Sequence, residues 1–127
     1  MDTSISEIMQ KNVIVANVDD SIGEVESFIA ENQLSFLPIV DADNKCFGVI
    51  SDYDILKFHK EKGNARLEHA WEICSHGIID VNADISIKEA ASLLVENRIH
   101  HLVVSSGEAI SGVVSSIDIL RYLLTKQ

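Results

Sequence analysis

The sequence predicts a mixed α/β (α+β) protein built from one β-α-β-β-α unit written twice. Three observations carry this. The segment Gly48-Val49-Ile50-Ser51-Asp52-Tyr53-Asp54-Ile55-Leu56-Lys57 returns, 64 residues on, as Gly112-Val113-Val114-Ser115-Ser116-Ile117-Asp118-Ile119-Leu120-Arg121, with six of ten positions identical and two conservative. Asn17 to Val25 matches Asn82 to Ala90, and Glu31-Asn32 matches Glu96-Asn97, both at an offset of 65. The hydrophobic pattern also alternates between helical spacing and short apolar runs in the same order in both copies. An internal repeat of this kind settles the architecture before any local reading. The change of offset requires one deletion, which falls between the turns Asp41-Ala42-Asp43-Asn44-Lys45 and Ser106-Gly107-Glu108, where the chain absorbs it cheaply.

Each copy opens with a short apolar strand, Val13-Ile14-Val15 or Ile78-Ile79-Asp80-Val81. Ser21 and Ser86 follow as helix N-caps, each with a Glu at the capping-box spacing, Glu24 and Glu89. Behind them Ile22, Val25, Phe28 and Ile29, and Ile87, Ala90, Leu93 and Leu94, lie at helical spacing. Phe36 to Val40 with Cys46 to Ile50, and Leu102 to Val104 with Ile110 to Val114, read as hairpins across polar turns. A second helix closes each copy, over 52–60 and 116–125. Glu61-Lys62-Gly63-Asn64 is the expected linker between copies. Leu67 to Cys74 reads as a lead-in helix to the second copy, and Ser4 to Met9 plays that part in the first. The expected domains are therefore 4–62 and 66–126.

The totals suit this plan. The chain has 127 residues, 46% hydrophobic and 24% charged, as expected of a globular protein with a proper core. A half of about 60 residues buries too little surface to be robust alone, and two similar halves packed together would solve that. Twenty acids against ten Lys and Arg leave a formal charge of −10. That balance disfavours nonspecific nucleic-acid binding, which needs a basic face, and docking on anionic lipid. Cys46 and Cys74 are the two cysteines, too few for a disulfide framework and without a zinc pattern. The N-terminus is acidic and polar rather than a secretory signal, and no apolar run approaches the ~20 residues of a membrane span. The expected location is the cytoplasm.

Each Gly-x-x-Ser-x-x-Asp lies at a strand-to-helix junction. There the Ser sits near a helix N-terminus, whose unpaired N–H groups and dipole favour an anion such as phosphate. An Asp one turn later can accept two hydrogen bonds from a vicinal diol, as an acid does in recognising a ribose. The Gly lets another backbone come close. Together they suggest a nucleoside phosphate. A Ser and an early Asp also simply cap a helix, and duplication copies structural features as well as functional ones, so both roles stay open at this point.

The whole chain, about residues 4–125, resembles a tandem pair of cystathionine-β-synthase (CBS) domains, the Bateman module. The resemblance rests on Ser35-Phe36-Leu37-Pro38-Ile39-Val40-Asp41 and Gly48 to Asp54 in one copy, and on His100-His101-Leu102-Val103-Val104 and Gly112 to Asp118 in the other. It implies halves packed through their sheets with pseudo-twofold symmetry, leaving two clefts that take an adenosine ligand: AMP, ADP, ATP or S-adenosylmethionine. One cleft would use Val15, Ala16, Phe36, Leu37 and Pro38 with Val114, Ser115, Ile117 and Asp118. The other would use Ile79, Asp80, His101, Leu102 and Val103 with Ile50, Ser51, Tyr53 and Asp54. The adenine nucleotide would be a regulatory ligand, with no cofactor required and no metal. Expected partners are that small-molecule nucleotide, a second copy in a homodimer and a regulated protein that the chain does not name, but neither nucleic acid nor membrane. The alternative is a dimerisation scaffold that takes no ligand.

The copies are unequal. Asp52 puts an acid beside Ser51 where the second copy has Ser116, which favours the Ser115/Asp118 cleft for phosphate. Tyr53 stands against Ile117, and Pro38 against Val103. His100 and His101 start a strand and point to opposite faces, so at most one faces a cleft. Arg98 and Arg121 are the cations expected nearest a phosphate, or else part of a solvated helix face. Trp71 is expected to anchor the lead-in helix to the sheet. Nothing resembles a nucleophile elbow or a P-loop, and no enzymatic activity is expected.

Overall fold

Each copy of the repeat forms its own three-stranded sheet. The computed structural model describes residues 3–76, 79–107 and 109–126. Two compact units result, and their boundaries are not those of the repeat. One is contiguous, residues 14–78. The other joins the N-terminal segment through Val13 to residues from Ile79 onward.

In the contiguous unit, β1 (Ala16–Asn17) leads to α1 (Ile22–Asn32), then to β2 (Phe36–Val40), β3 (Cys46–Ser51), α2 (Asp52–Lys60) and the short α3 (Ala70–Ile73). The sheet order is β1-β2-β3, with β1 parallel to β2 and β2 antiparallel to β3. A parallel pair needs a crossover and an antiparallel pair a turn; α1 and the turn at 41–45 supply them. The capping box expected at Ser21 is complete, since Ser21 Oγ accepts from the Glu24 N–H at 3.1 Å and Glu24 Oε1 accepts from the Ser21 N–H at 3.2 Å. The core gathers Ala16, Val25, Leu37, Ile39, Ile50, Ala70 and Cys74.

The split unit repeats the plan with β4 (Asp80–Asn82), α4 (Ile87–Asn97), β5 (His101–Ser106), β6 (Ala109–Ser115) and α5 (Ser116–Thr125). Its sheet order is β4-β5-β6 with the same parallel and antiparallel pairing. Both hairpins carry a register shift at the equivalent place, between Ile39 and Val40 and between Val104 and Ser105. Both first helices end on a left-handed residue, Gln33 and Arg98, each at φ 53°. Ser86 Oγ caps the Glu89 N–H at 3.0 Å. The core gathers Ile5, Ile87, Ala90, Leu94, Leu102, Val104, Val114 and Ile119.

Ile5 in that core exposes the main surprise. The lead-in segments change places: each packs on the copy that it does not precede. The Ile5 N–H donates to the Ile85 carbonyl at 3.0 Å and the Ile87 N–H to the Thr3 carbonyl at 2.8 Å. In the contiguous unit the Ala70 N–H donates to Asp20 and the Ile22 N–H to Glu68, at 2.8 and 2.9 Å. These are the same bonds at the repeat offset. The repeated glycines exist for this contact. A Cβ on Gly48 would lie 2.7 Å from Cys74 Sγ and 2.8 Å from the Ser75 carbonyl, and one on Gly112 would lie 2.8 Å from Met9 Sδ and 3.0 Å from the Gln10 carbonyl. The backbone that the glycine lets approach is the protein's own lead-in segment.

The opening strands lie later than the apolar runs suggested. Val13 to Val15 precede β1, and only Asp80 and Val81 of the second run enter β4; Ile78 lies outside the described residues. Register decides this, because Ala16 pairs with Ile39 and Asp80 with Val103. The lead-in helices are also shorter, a 3-10 turn at Ile5–Glu7 and the four-residue α3. Trp71, expected to anchor the lead-in helix to the sheet, is 50% exposed.

Candidate functional site

The two Ser-x-x-Asp pairs sit at the starts of α2 and α5, where β3 and β6 end. Ser51 and Ser115 are the N-caps, both extended (φ −103° and −109°), which turns the strand into the helix. In both copies the pair closes on itself. The Ser51 N–H donates to Asp54 Oδ2 at 2.8 Å, and the Asp54 N–H to Ser51 Oγ at 3.2 Å. The Ser115 N–H donates to Asp118 Oδ2 at 2.8 Å, and the Asp118 N–H to Ser115 Oγ at 3.1 Å. This is a capping box with Asp in place of Glu. The structural role left open by the sequence is therefore real, and any ligand role is additional to it.

The pairs differ in detail. Ser51 also donates its hydroxyl to Asp54 Oδ2 at 3.0 Å, which leaves Asp54 Oδ1 without a partner among the described residues. Asp118 is more buried, at 8% exposure, and its Oδ1 accepts from Gln10 Nε2 at 3.1 Å. A cavity of about 310 Å³ adjoins that contact, lined by Ile8, Gln10, Asp118, Arg121, Tyr122 and Thr125. Arg121 lines that cavity together with Asp118. Asp52 is exposed and accepts from the Tyr53 N–H at 2.8 Å. Tyr53 is 67% exposed and Ile117 55%, so neither side chain is packed away.

Strand alternation sorts the other expected residues. Ala16, Leu37 and Ile50 belong to the core of the contiguous unit, and Leu102 and Val114 to that of the split unit. Their side chains are committed, so any contact with a ligand must come from their backbone. Phe36, Pro38 and Ser51 occupy the other face of β2 and β3, with Phe36 opposite Ser51 in register. His101, Val103 and Ser115 do so on β5 and β6, with His101 opposite Ser115. Val15 and Ile79 precede β1 and β4 and are half-buried. Asp80 accepts from Ser105 Oγ at 2.9 Å. Gln10 is the residue that the sequence reading missed. The signal was present in the alignment of the copies, where Gln10 stands against Ser75.

Burial pushes the Cys74 thiol above its ordinary pKa, with a weaker push from the Asp54 charge and an opposing hydrogen bond. Cys74 accordingly stays protonated at neutral pH, as a core thiol does. Among the described residues no group of three or more His, Cys, Asp or Glu is arranged to hold a metal ion. None of the helices is long and apolar enough to cross a membrane among the described residues.

Twin β-α-β-β-α units, each with a Ser-x-x-Asp cap on the helix that follows its hairpin, define a tandem repeat, and the chain belongs to the CBS domain family: the model of the CBS domain matches residues 5–61 and 70–125. The fold agrees closely with the crystal structure of the CBS domain pair of protein MJ0100 in complex with 5′-methylthioadenosine and S-adenosyl-L-methionine, at TM-score 0.91 and 26% identity over the whole of both chains. In sequence the chain is 30% identical to the uncharacterized protein MJ1404 of Methanocaldococcus jannaschii and 25% identical to the inosine-5'-monophosphate dehydrogenase of the same organism. Those matches cover 96% and 91% of this chain but only 32% and 22% of those proteins. The chain therefore corresponds to one part of these larger relatives.

Proposed function

We propose that this chain is a regulatory module that binds an adenosine-containing ligand (AMP, ADP, ATP or S-adenosylmethionine) and passes the state of occupancy to a partner protein. The carrying observation is the duplicated Ser-x-x-Asp at a helix start. It brings together helix N–H groups, a hydroxyl and a carboxylate, the set that suits a phosphate and a ribose diol. Asp54 Oδ1 adds an acceptor that no described residue uses. The likeness to a CBS pair crystallised with two adenosine compounds supports the same ligand class. Ser51 with Asp54 forms one half-site in this reading, and Ser115 with Asp118 the other. The ligand acts by binding two conformations of the protein unequally, which is the only way that it can shift their populations. The module carries out no chemistry of its own, and its place is the cytoplasm.

A second reading has its own observations. The Ser–Asp pairs are satisfied as caps without any ligand, and α5 exposes Ile117, Leu120 and Leu124 along one face, at 55%, 54% and 72%. An apolar helix face of this kind suits a second copy of the chain, so a homodimer belongs to both readings and a ligand only to the first. One measurement separates them. Thermal melts with AMP, ADP, ATP, GTP and S-adenosylmethionine are expected to show a rise in Tm with at least one adenosine compound, because a ligand that binds the native state stabilises it. Light scattering on the same samples reports the dimer. A dimer whose melting no compound shifts supports the scaffold and removes the nucleotide.

A further inference from the structure

Gln10 is aimed at Asp118 by its own backbone. Its N–H donates to the Val113 carbonyl at 2.9 Å, and its carbonyl accepts from the Val113 N–H at 3.1 Å. These two bonds fix the lead-in segment against β6 just before Ser115. From that position Nε2 reaches Asp118 Oδ1 at 3.1 Å. The contiguous unit has the same backbone bridge, between Ser75 and Val49 at 2.8 and 3.0 Å. The residue there has one side-chain carbon instead of three, and no hydrogen bond links Ser75 to Asp54 among the described residues. The two Asp residues thus share a backbone frame and differ in whether the lead-in segment occupies their outer oxygen.

We infer that Gln10 is an internal competitor that weakens ligand binding at the Ser115/Asp118 half-site and leaves Ser51/Asp54 as the stronger one. This rests on the adenosine-ligand reading above. A diol held by a carboxylate uses both oxygens. At Asp118, Oδ2 is already taken by the Ser115 N–H and Oδ1 by the Gln10 amide. An incoming hydroxyl must displace that amide or share the oxygen with it, so its gain is reduced by the bond that it replaces. Gln10 is exposed, and the adjoining cavity of about 310 Å³ gives its side chain room to swing away. The contact is therefore displaceable rather than blocking. At Asp54, Oδ2 likewise holds its capping serine, but Oδ1 has no partner among the described residues, so one oxygen is open where Asp118 has none. The order of the half-sites is opposite to the one that Asp52 suggested, because Asp52 opposes only a phosphate whereas Gln10 opposes any ribose.

The test uses 5′-methylthioadenosine, which has no phosphate, alongside AMP. Titration calorimetry compares Asp54→Asn alone with Asp54→Asn plus Gln10→Met, so that the Asp118 half-site is the one measured. Removing the amide is expected to tighten binding there by about fivefold to tenfold, the size of one modest hydrogen bond. Gln10→Asn, whose amide is one carbon shorter, is expected to do the same and serves if the Met variant folds poorly. Unchanged or weakened binding in both variants overturns the competitor role and makes Gln10 a ligand contact or a bystander. Absence of binding of either compound to the unsubstituted protein removes the adenosine reading itself, and this inference with it.

Discussion

Ile5→Ala is expected to cost about 2–5 kcal/mol of folding stability, the range for emptying a fully buried aliphatic site. Ile5 is 0% exposed and lies among Ile87, Ala90, Leu94, Leu102 and Val114. Its equivalent in the contiguous unit is Ala70, so the split unit depends on the larger side chain. Urea unfolding gives the loss, and Glu7→Ala, an exposed neighbour, is the control expected to stay within about 0.5 kcal/mol. Amide exchange locates the loss. Protection should fall in β5 and β6, onto which the segment packs, and hold in β2 and β3. If β2 and β3 loosen instead, the exchange of lead-in segments is wrong and the N-terminal segment belongs to the copy that it precedes.

Asp54 carries the second large expectation, and two substitutions divide it. Asp54→Ala removes both the return arm of the capping box and the proposed ribose acceptor, while Ser51 still caps the helix. It should lower stability by about 0.5–1.5 kcal/mol, as loss of one hydrogen bond does, and adenosine-ligand affinity by about 1–3 kcal/mol. Asp54→Asn keeps one oxygen for the Ser51 N–H but loses the charge and the second acceptor. The Asn variant should therefore melt near the unsubstituted protein while binding nearly as poorly as the Ala variant. Calorimetry with the compound that gives the largest thermal shift measures the affinity. An Asn variant that binds normally would show that Asp54 is a cap and nothing more. Asp118→Asn is expected to lose less, since its half-site is the weaker.

Much of the architecture was legible because it was written twice. The Ser21–Glu24 capping box, the Ser86 cap (without the return bond expected from Glu89), both hairpins and the closing helices followed from those residues, the 36–40 and 46–50 runs and the glycines. What the sequence did not reveal is which copy each lead-in segment joins. Ser4 to Met9 and His69 to Cys74 are equivalent by the repeat offset, so the repeat alone assigns neither to the groove beside Gly48 or to the one beside Gly112. Periodicity scores both pairings alike. The late start of β1 has a related cause, because Val13 to Val15 are as apolar as a strand but pairing with Ile39 and Val40 begins at Ala16. At the expected site the sequence named positions but not the way they face: Leu37, Ile50, Leu102 and Val114 lie on the core-facing side of their strands. The Gln10–Asp118 contact joins positions 108 apart, beyond any local pattern.

The exchanged segments also set an order of events during synthesis. Residues 14–78 are continuous, and the residues of their core cluster all come from within that stretch. The N-terminal segment is made first, yet the carbonyl that pairs with Ile5 belongs to Ile85, 80 residues downstream. At about 5–20 residues per second, the segment waits several seconds, unpaired, while the contiguous unit forms behind it. A ribosome-stalled chain from which residues 1–78 have emerged should therefore be cut by trypsin after Lys11 while the 14–78 body resists. Release of the full chain should protect both. Early protection of Lys11 would mean that the segment first docks elsewhere and is later handed over.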